Sequence, residues 1–208
     1  MSYNPGIAFN NVRELLPTAL LKMNTFSSEV LKTRGGRIGS GMGALLEALW
    51  GYMMNQALSE KGCDLEIAWF TNNQYNDFAC LEKGALWDEE SRAGELFRIE
   101  AKSMNTGADE SKAHFDVLHS ELHEYDSFLI LVWEWKNIGH NYFSPQIIDT
   151  FLMLQCQSCY SVTNYIKRGA EVLSMPIHAL MVALRKTARI MENPSTPQEK
   201  EKGFVVQK

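Results

Sequence analysis

Cysteine is scarce in this sequence. Its four cysteines among 208 residues (Cys63, Cys80, Cys156 and Cys159) stand at irregular positions, which argues against a disulfide-stapled scaffold in a chain long enough to bury its own core. Cys156 and Cys159 make a CxxC, but inside "IIDTFLMLQCQSCYSVTNYI", a segment with helical spacing and no second CxxC. Thiols acting as small buried hydrophobes are the simpler reading than metal or redox work. Long apolar runs are lacking too: none approaches the ~18 residues of a membrane span. The start, "MSYNPGIAFNN", has neither the basic residues nor the apolar stretch of a secretory signal. The expectation is a cytoplasmic protein without a membrane partner. Positive charge is in deficit, with 20 Lys and Arg against 25 Asp and Glu and a net charge of −5. A nucleic-acid binder usually shows a basic footprint, so that balance counts against one, although Arg34 and Arg37 flank a glycine pair and Arg185, Lys186 and Arg189 cluster in one segment.

The residues that are present order into a mixed pattern. Residues 12–32 have helical spacing, with a break expected near Pro17, and the glycine-rich "TRGGRIGSGMG" leads to a strong helix over about 43–58. "DLEIAWF" and "FACLE" read as strands, and "KGALWDEESRAG" as a polar hairpin-like connection to a third strand over about 95–104. A helix is expected from near Ser111. "SFLILVWEW" is continuous and apolar, as a central buried strand should be. Two further helices are expected at about 145–167 and 175–191, making one domain over 1–192, with a polar tail at 193–208.

Chemistry concentrates in "LFRIEAKSMN". On a strand, alternate residues share a face, so Phe97, Ile99 and Ala101 make a core face and Arg98, Glu100 and Lys102 the other. A carboxylate beside an ammonium, at the opening of a polar loop, suits phosphoryl chemistry. Mg²⁺ takes hard oxygen ligands, often one or two carboxylates completed by water and phosphate. A lysine can position water or offset transition-state charge. The second carboxylate is best supplied by Asp77, at the mouth of the preceding strand; Asp64 lies one strand too far, and Asp88 at the wrong end of the connection. The rival reading makes Glu100 and Lys102 an ordinary exposed pair and Asp77 a turn residue.

These residues, in a helix–strand–strand–strand–helix–strand order over about 43–135, resemble the PD-(D/E)XK nuclease superfamily. The sequence departs from the eponymous pattern at Asn76, where proline often stands. The resemblance implies an α/β restriction-endonuclease-like core (αβββαβ), a central mixed sheet flanked by helices, with C-terminal helices added over about 145–191. It implies a Mg²⁺-dependent endodeoxyribonuclease, with Mn²⁺ a possible substitute, leaving a 5′-phosphate and a 3′-hydroxyl. Asp77 and Glu100 resemble the metal-binding acids and Lys102 the catalytic lysine; Glu47, in "GALLEALWGYMM", matches an acid that many members place on the first core helix. The size is most like a type II restriction enzyme acting as a homodimer on duplex DNA. Other nucleases of the superfamily (repair, junction resolution, phage defence) and a non-catalytic nucleic-acid-binding module are the alternatives.

Other motifs carry less. "GRIGSGMG" lacks the GK[ST] of a phosphate loop, though Arg34 and Arg37 could reach DNA phosphates from it. His119 and His123 are spaced as one-face zinc ligands, but Ser120 stands where the protease motif needs glutamate. Arg185, Lys186 and Arg189 read first as the basic edge of a packing helix, with DNA backbone or a dimer partner as the alternative.

Overall fold

The structure, a computed structural model, describes residues 3–34, 41–70, 76–107 and 125–154. The chain divides into two compact units, Met1–Lys167 and Arg168–Lys208, and every described residue belongs to the first. The helix expected from Ser111, the helix over 175–191, the tail, Arg37, Arg185, Lys186, Arg189, Cys156, Cys159, His119 and His123 all lie outside the described residues.

Helix α1 spans Pro5–Val30. Asn4 caps it by accepting the Ile7 N–H at 2.8 Å, and Pro5, which has no N–H to leave unsatisfied, opens the first turn. The break expected near Pro17 does not occur. Pro17 sits on the exposed side, where water can satisfy the carbonyl that loses its partner. Ala8, Phe9, Val12, Leu16, Ala19, Met23 and Ser27 keep an unbroken buried stripe on the other side. Helix α2, Gly41–Lys61, buries Leu46, Leu49, Trp50, Met53, Met54 and Leu58.

Five strands form one sheet in the order β1 (Leu65–Trp69), β2 (Phe78–Glu82), β3 (Glu95–Asn105), β4 (Ser127–Gly139), β5 (Tyr142–Leu154). The β3–β4 pair is parallel and the others are antiparallel, so the sheet is mixed. The class is therefore α/β, with two helices and a five-stranded mixed sheet among the described residues. Phe97, Ile99, Ala101, Leu129, Leu131 and Trp133 join residues of both helices in one core. Phe128, Ile130 and Val132, which alternate with Leu129, Leu131 and Trp133 along β4, are buried too, so β4 is buried on both faces, as its continuous apolar run requires.

The helix expected from about 145 is corrected: residues up to Leu154 form β5, antiparallel to β4 along nearly its whole length. "QIIDTFLML" carries a helical spacing of apolar residues, but Gly139, His140 and Asn141 all have positive φ (104°, 50° and 60°). Positive φ at two central residues makes the primed turn whose twist folds one strand back on another. Once β4 offers its edge, pairing decides the outcome over local periodicity.

Candidate active site

The site forms where β2 stops and β3 continues. Their pairing ends at Phe78↔Ile99, and the Asp77 N–H still donates to the Ile99 carbonyl at 3.1 Å. Beyond that point the N–H groups of Ala101 and Ser103 face the place a longer β2 would have filled. Two carboxylates take them instead: Asp77 Oδ2 accepts from Ala101 N–H at 2.7 Å, and Glu47 Oε1 accepts from Ser103 N–H at 2.8 Å. Glu47 reaches across because Gly43, one turn earlier on α2, lets the helix lie close: a Cβ there would stand 2.3 Å from Ser103 Oγ.

Glu100 and Lys102 occupy the same stretch of β3 and pair directly through Oε1 and Nζ. Glu100 is 4% exposed, and its other oxygen, Oε2, is buried without a hydrogen-bond partner. Asn76 Oδ1, beside Asp77 in the chain, is also buried and unpartnered. Burial raises the pKa of Glu100 to about 7; the bond from Lys102 opposes this and the charge of Asp77 adds to it. Burial, then the nearness of Asp77, raises Glu47, and burial raises Asp77. Desolvation works against the charge on Lys102, yet the hydrogen bond and charge of Glu100, with Asp77 and Glu47 behind it, keep its pKa above the ordinary lysine value. Among the described residues three carboxylates thus share one ammonium, and the group is short of positive charge.

That shortage, with the orphaned Glu100 Oε2, fits a divalent cation. Among the described residues no three of His, Cys, Asp or Glu stand close enough together to hold a metal ion. Mg²⁺ does not need three, since it keeps water and takes one or two carboxylates plus substrate phosphate.

The sequence sets Asp77 beside Glu100 and Lys102, the family resemblance adds Glu47, and the fold brings all four to one stretch of β3. Arg98, assigned to the same strand face, goes elsewhere: its Nε donates to Glu95 Oε2 at 2.7 Å and its guanidinium stacks on Phe70 at 4.7 Å. Glu95 and Asp126 hold Arg92 and Arg98 in a buried ionic knot under the opposite end of β3. Arg34 lies beside β5, over the Tyr142 ring at 4.7 Å. The backbone N–H groups of Ala101 and Ser103 had escaped notice, because a motif of side chains says nothing about where a strand loses its neighbour. No protein family matches this sequence, and no curated protein is similar to it.

Proposed function

We propose that this chain is a Mg²⁺-dependent endodeoxyribonuclease with a restriction-endonuclease-like core, acting on duplex DNA as a type II enzyme does, through a homodimer. The observation that carries the reading is the convergence of Asp77, Glu100 and Lys102 at the edge of β3, with a buried carboxylate oxygen left unpaired. Asp77 and Glu100 would hold the ion, with Mn²⁺ able to replace Mg²⁺; when bound it neutralises phosphate charge and lowers the pKa of a coordinated water.

The chain's own residues supply the rest. Lys102 stays protonated, so it can donate to the attacking water and offset charge gathering on the phosphate. Glu100 holds that ammonium in place through their direct pair. Glu47 and Asp77, by grasping successive outward N–H groups of β3, fix the backbone from which Glu100 and Lys102 project.

The test is a gel of long mixed-sequence duplex incubated with Mg²⁺, Mn²⁺ or chelator, beside Lys102→Ala and Asp77→Asn. Discrete fragments should appear with either metal and vanish with chelator, and both variants should lose about 100-fold or more in rate. No cleavage in either metal, or a Lys102→Ala protein as active as the parent, would sink the assignment.

A further inference from the structure

The sheet does not end where its third strand ends. β3 pairs with β4 only as far as Asn105↔Trp133, whereas β4 and β5 go on pairing from Glu134↔Gln146 to Gly139↔Tyr142. Among the described residues, the last part of the sheet is therefore a two-stranded ribbon, closed by the His140–Asn141 turn. Asn137 Oδ1 accepts the Gly139 N–H at 2.8 Å and stiffens the tip.

A third piece of chain runs along the ribbon's far edge. Thr33 exchanges both backbone hydrogen bonds with Phe143, each at 2.8 Å. Residues that flank a paired position point to the opposite face from it, so Lys32 and Arg34 share a face with Tyr142 and Ser144, and Lys136, opposite Ser144, joins them. Both cations lie over the Tyr142 ring, Lys32 at 5.7 Å and Arg34 at 4.7 Å. Lys32, Arg34 and Lys136 are exposed. None of the three joins an ion pair among the described residues.

In a chain of net charge −5, three unpaired cations on one face of a projecting ribbon mark an anion-binding surface. The placement relative to the site matters as much. Lys102 pairs with Ile130, and Ile130 and Lys136 share a strand face by alternation. Lys136 therefore stands on the catalytic side of the sheet, roughly 20 Å along β4 from the Lys102 row at the usual strand rise. The tip at His140 and Asn141 lies roughly 30 Å along, close to one turn of B-form duplex.

We propose that the β4–β5 ribbon is the arm by which this protein grips duplex DNA. Lys32, Arg34 and Lys136 hold the phosphate backbone, and Asn137, His140 and Asn141 at the tip read base edges in the major groove. The substrate class rests on the nuclease reading; the ribbon, its charge and its distance from Lys102 do not. A two-stranded ribbon fits the wide major groove of B-DNA. The narrow, deep major groove of A-form RNA does not admit it, so the proposal commits to DNA.

The test uses the full chain in chelator, so that no cutting occurs, with a labelled duplex from a random-sequence pool and anisotropy followed against salt. Replacing Lys32, Arg34 and Lys136 together by alanine should weaken binding about tenfold or more and lower the salt slope by about 2 to 3. Lys136→Arg should keep the parent slope. Asn137→Ala with Asn141→Gly should leave the slope unchanged and broaden the sequences recovered from the pool. Thermal melts and far-ultraviolet dichroism matching the parent confirm that each variant folds. If the parent cuts DNA in Mg²⁺ while the triple variant binds with the parent slope, the ribbon proposal falls and the nuclease stands. If the ribbon variants lose binding but the parent cuts under no metal, the arm stands and the nuclease falls. Equal, tip-dependent binding of duplex RNA would overturn groove reading, and no duplex binding by the parent would overturn the arm outright.

Discussion

Burial leaves Glu100 with one oxygen on Lys102 and the other without a partner, and its carboxyl pKa rises to about 7. Glu47 and Asp77 shift in the same direction. Each of these groups holds its proton more tightly in the folded chain than in the unfolded one, and for Glu100 the difference spans the ordinary value of 4.5 to about 7. The stability Glu100 contributes is complete below that window and is lost as pH rises through it. In chelator, the melting temperature of the parent should fall across the window, and that of Glu100→Gln should fall less. Added Mg²⁺ should flatten the parent's decline, because a bound cation favours the ionised carboxylates. Identical profiles for parent and variant would show that Glu100 ionises as freely folded as unfolded.

At the scale of elements, the connection between β2 and β3 is anchored far more firmly than its polar composition suggests. Glu95 accepts from Arg92, Arg98 and Trp87, and Asp126 accepts from Arg92 at 3.0 Å and from the Arg98 backbone at 3.0 Å. Replacing Glu95 by alanine takes the carboxylate from the Arg98 guanidinium and one of the two carboxylates from Arg92, and urea titration should show a loss of about 3–5 kcal/mol. Lys22→Ala, which breaks the exposed pair with Glu60, should cost no more than about 1 kcal/mol. Of these elements, the sequence alone revealed "FACLE" and "SFLILVW", whose burial is written as apolar runs, and "FRIEAK", written as alternation, together with the second helix. It concealed β5, whose identity depends on pairing with β4 rather than on its own spacing. The continuity of α1 through Pro17 was concealed too, since that depends on which side of the helix faces water. The site was legible as acids and a lysine in the right order. Arg92, Glu95 and Asp126 were not, because nothing in linear spacing brings Asp126 to Arg92.

At the scale of the whole molecule, the proposed twofold assembly bears on how a duplex is cut. Two sites acting in one complex should convert supercoiled plasmid directly to linear product, with little nicked circle accumulating, and sedimentation should show the dimer at working concentrations. A long-lived nicked intermediate from a monomeric species would point to single-strand cutting by independent copies. The parallel junction of β3 and β4 makes either arrangement workable: it puts Glu100 and Lys102 on a central strand while β4 carries the sheet outward past them.

The premature end of β2 has one further consequence. A strand with unsatisfied N–H groups along one side invites any passing chain to pair with it, the first step in amyloid-like growth. In β3 that invitation would stand at Ala101 and Ser103, and the carboxylates of Asp77 and Glu47 already occupy both positions. The same two acids that the proposal gives to the metal site and its backbone thus also deny a neighbour's strand the N–H groups it would need to extend the sheet at this point.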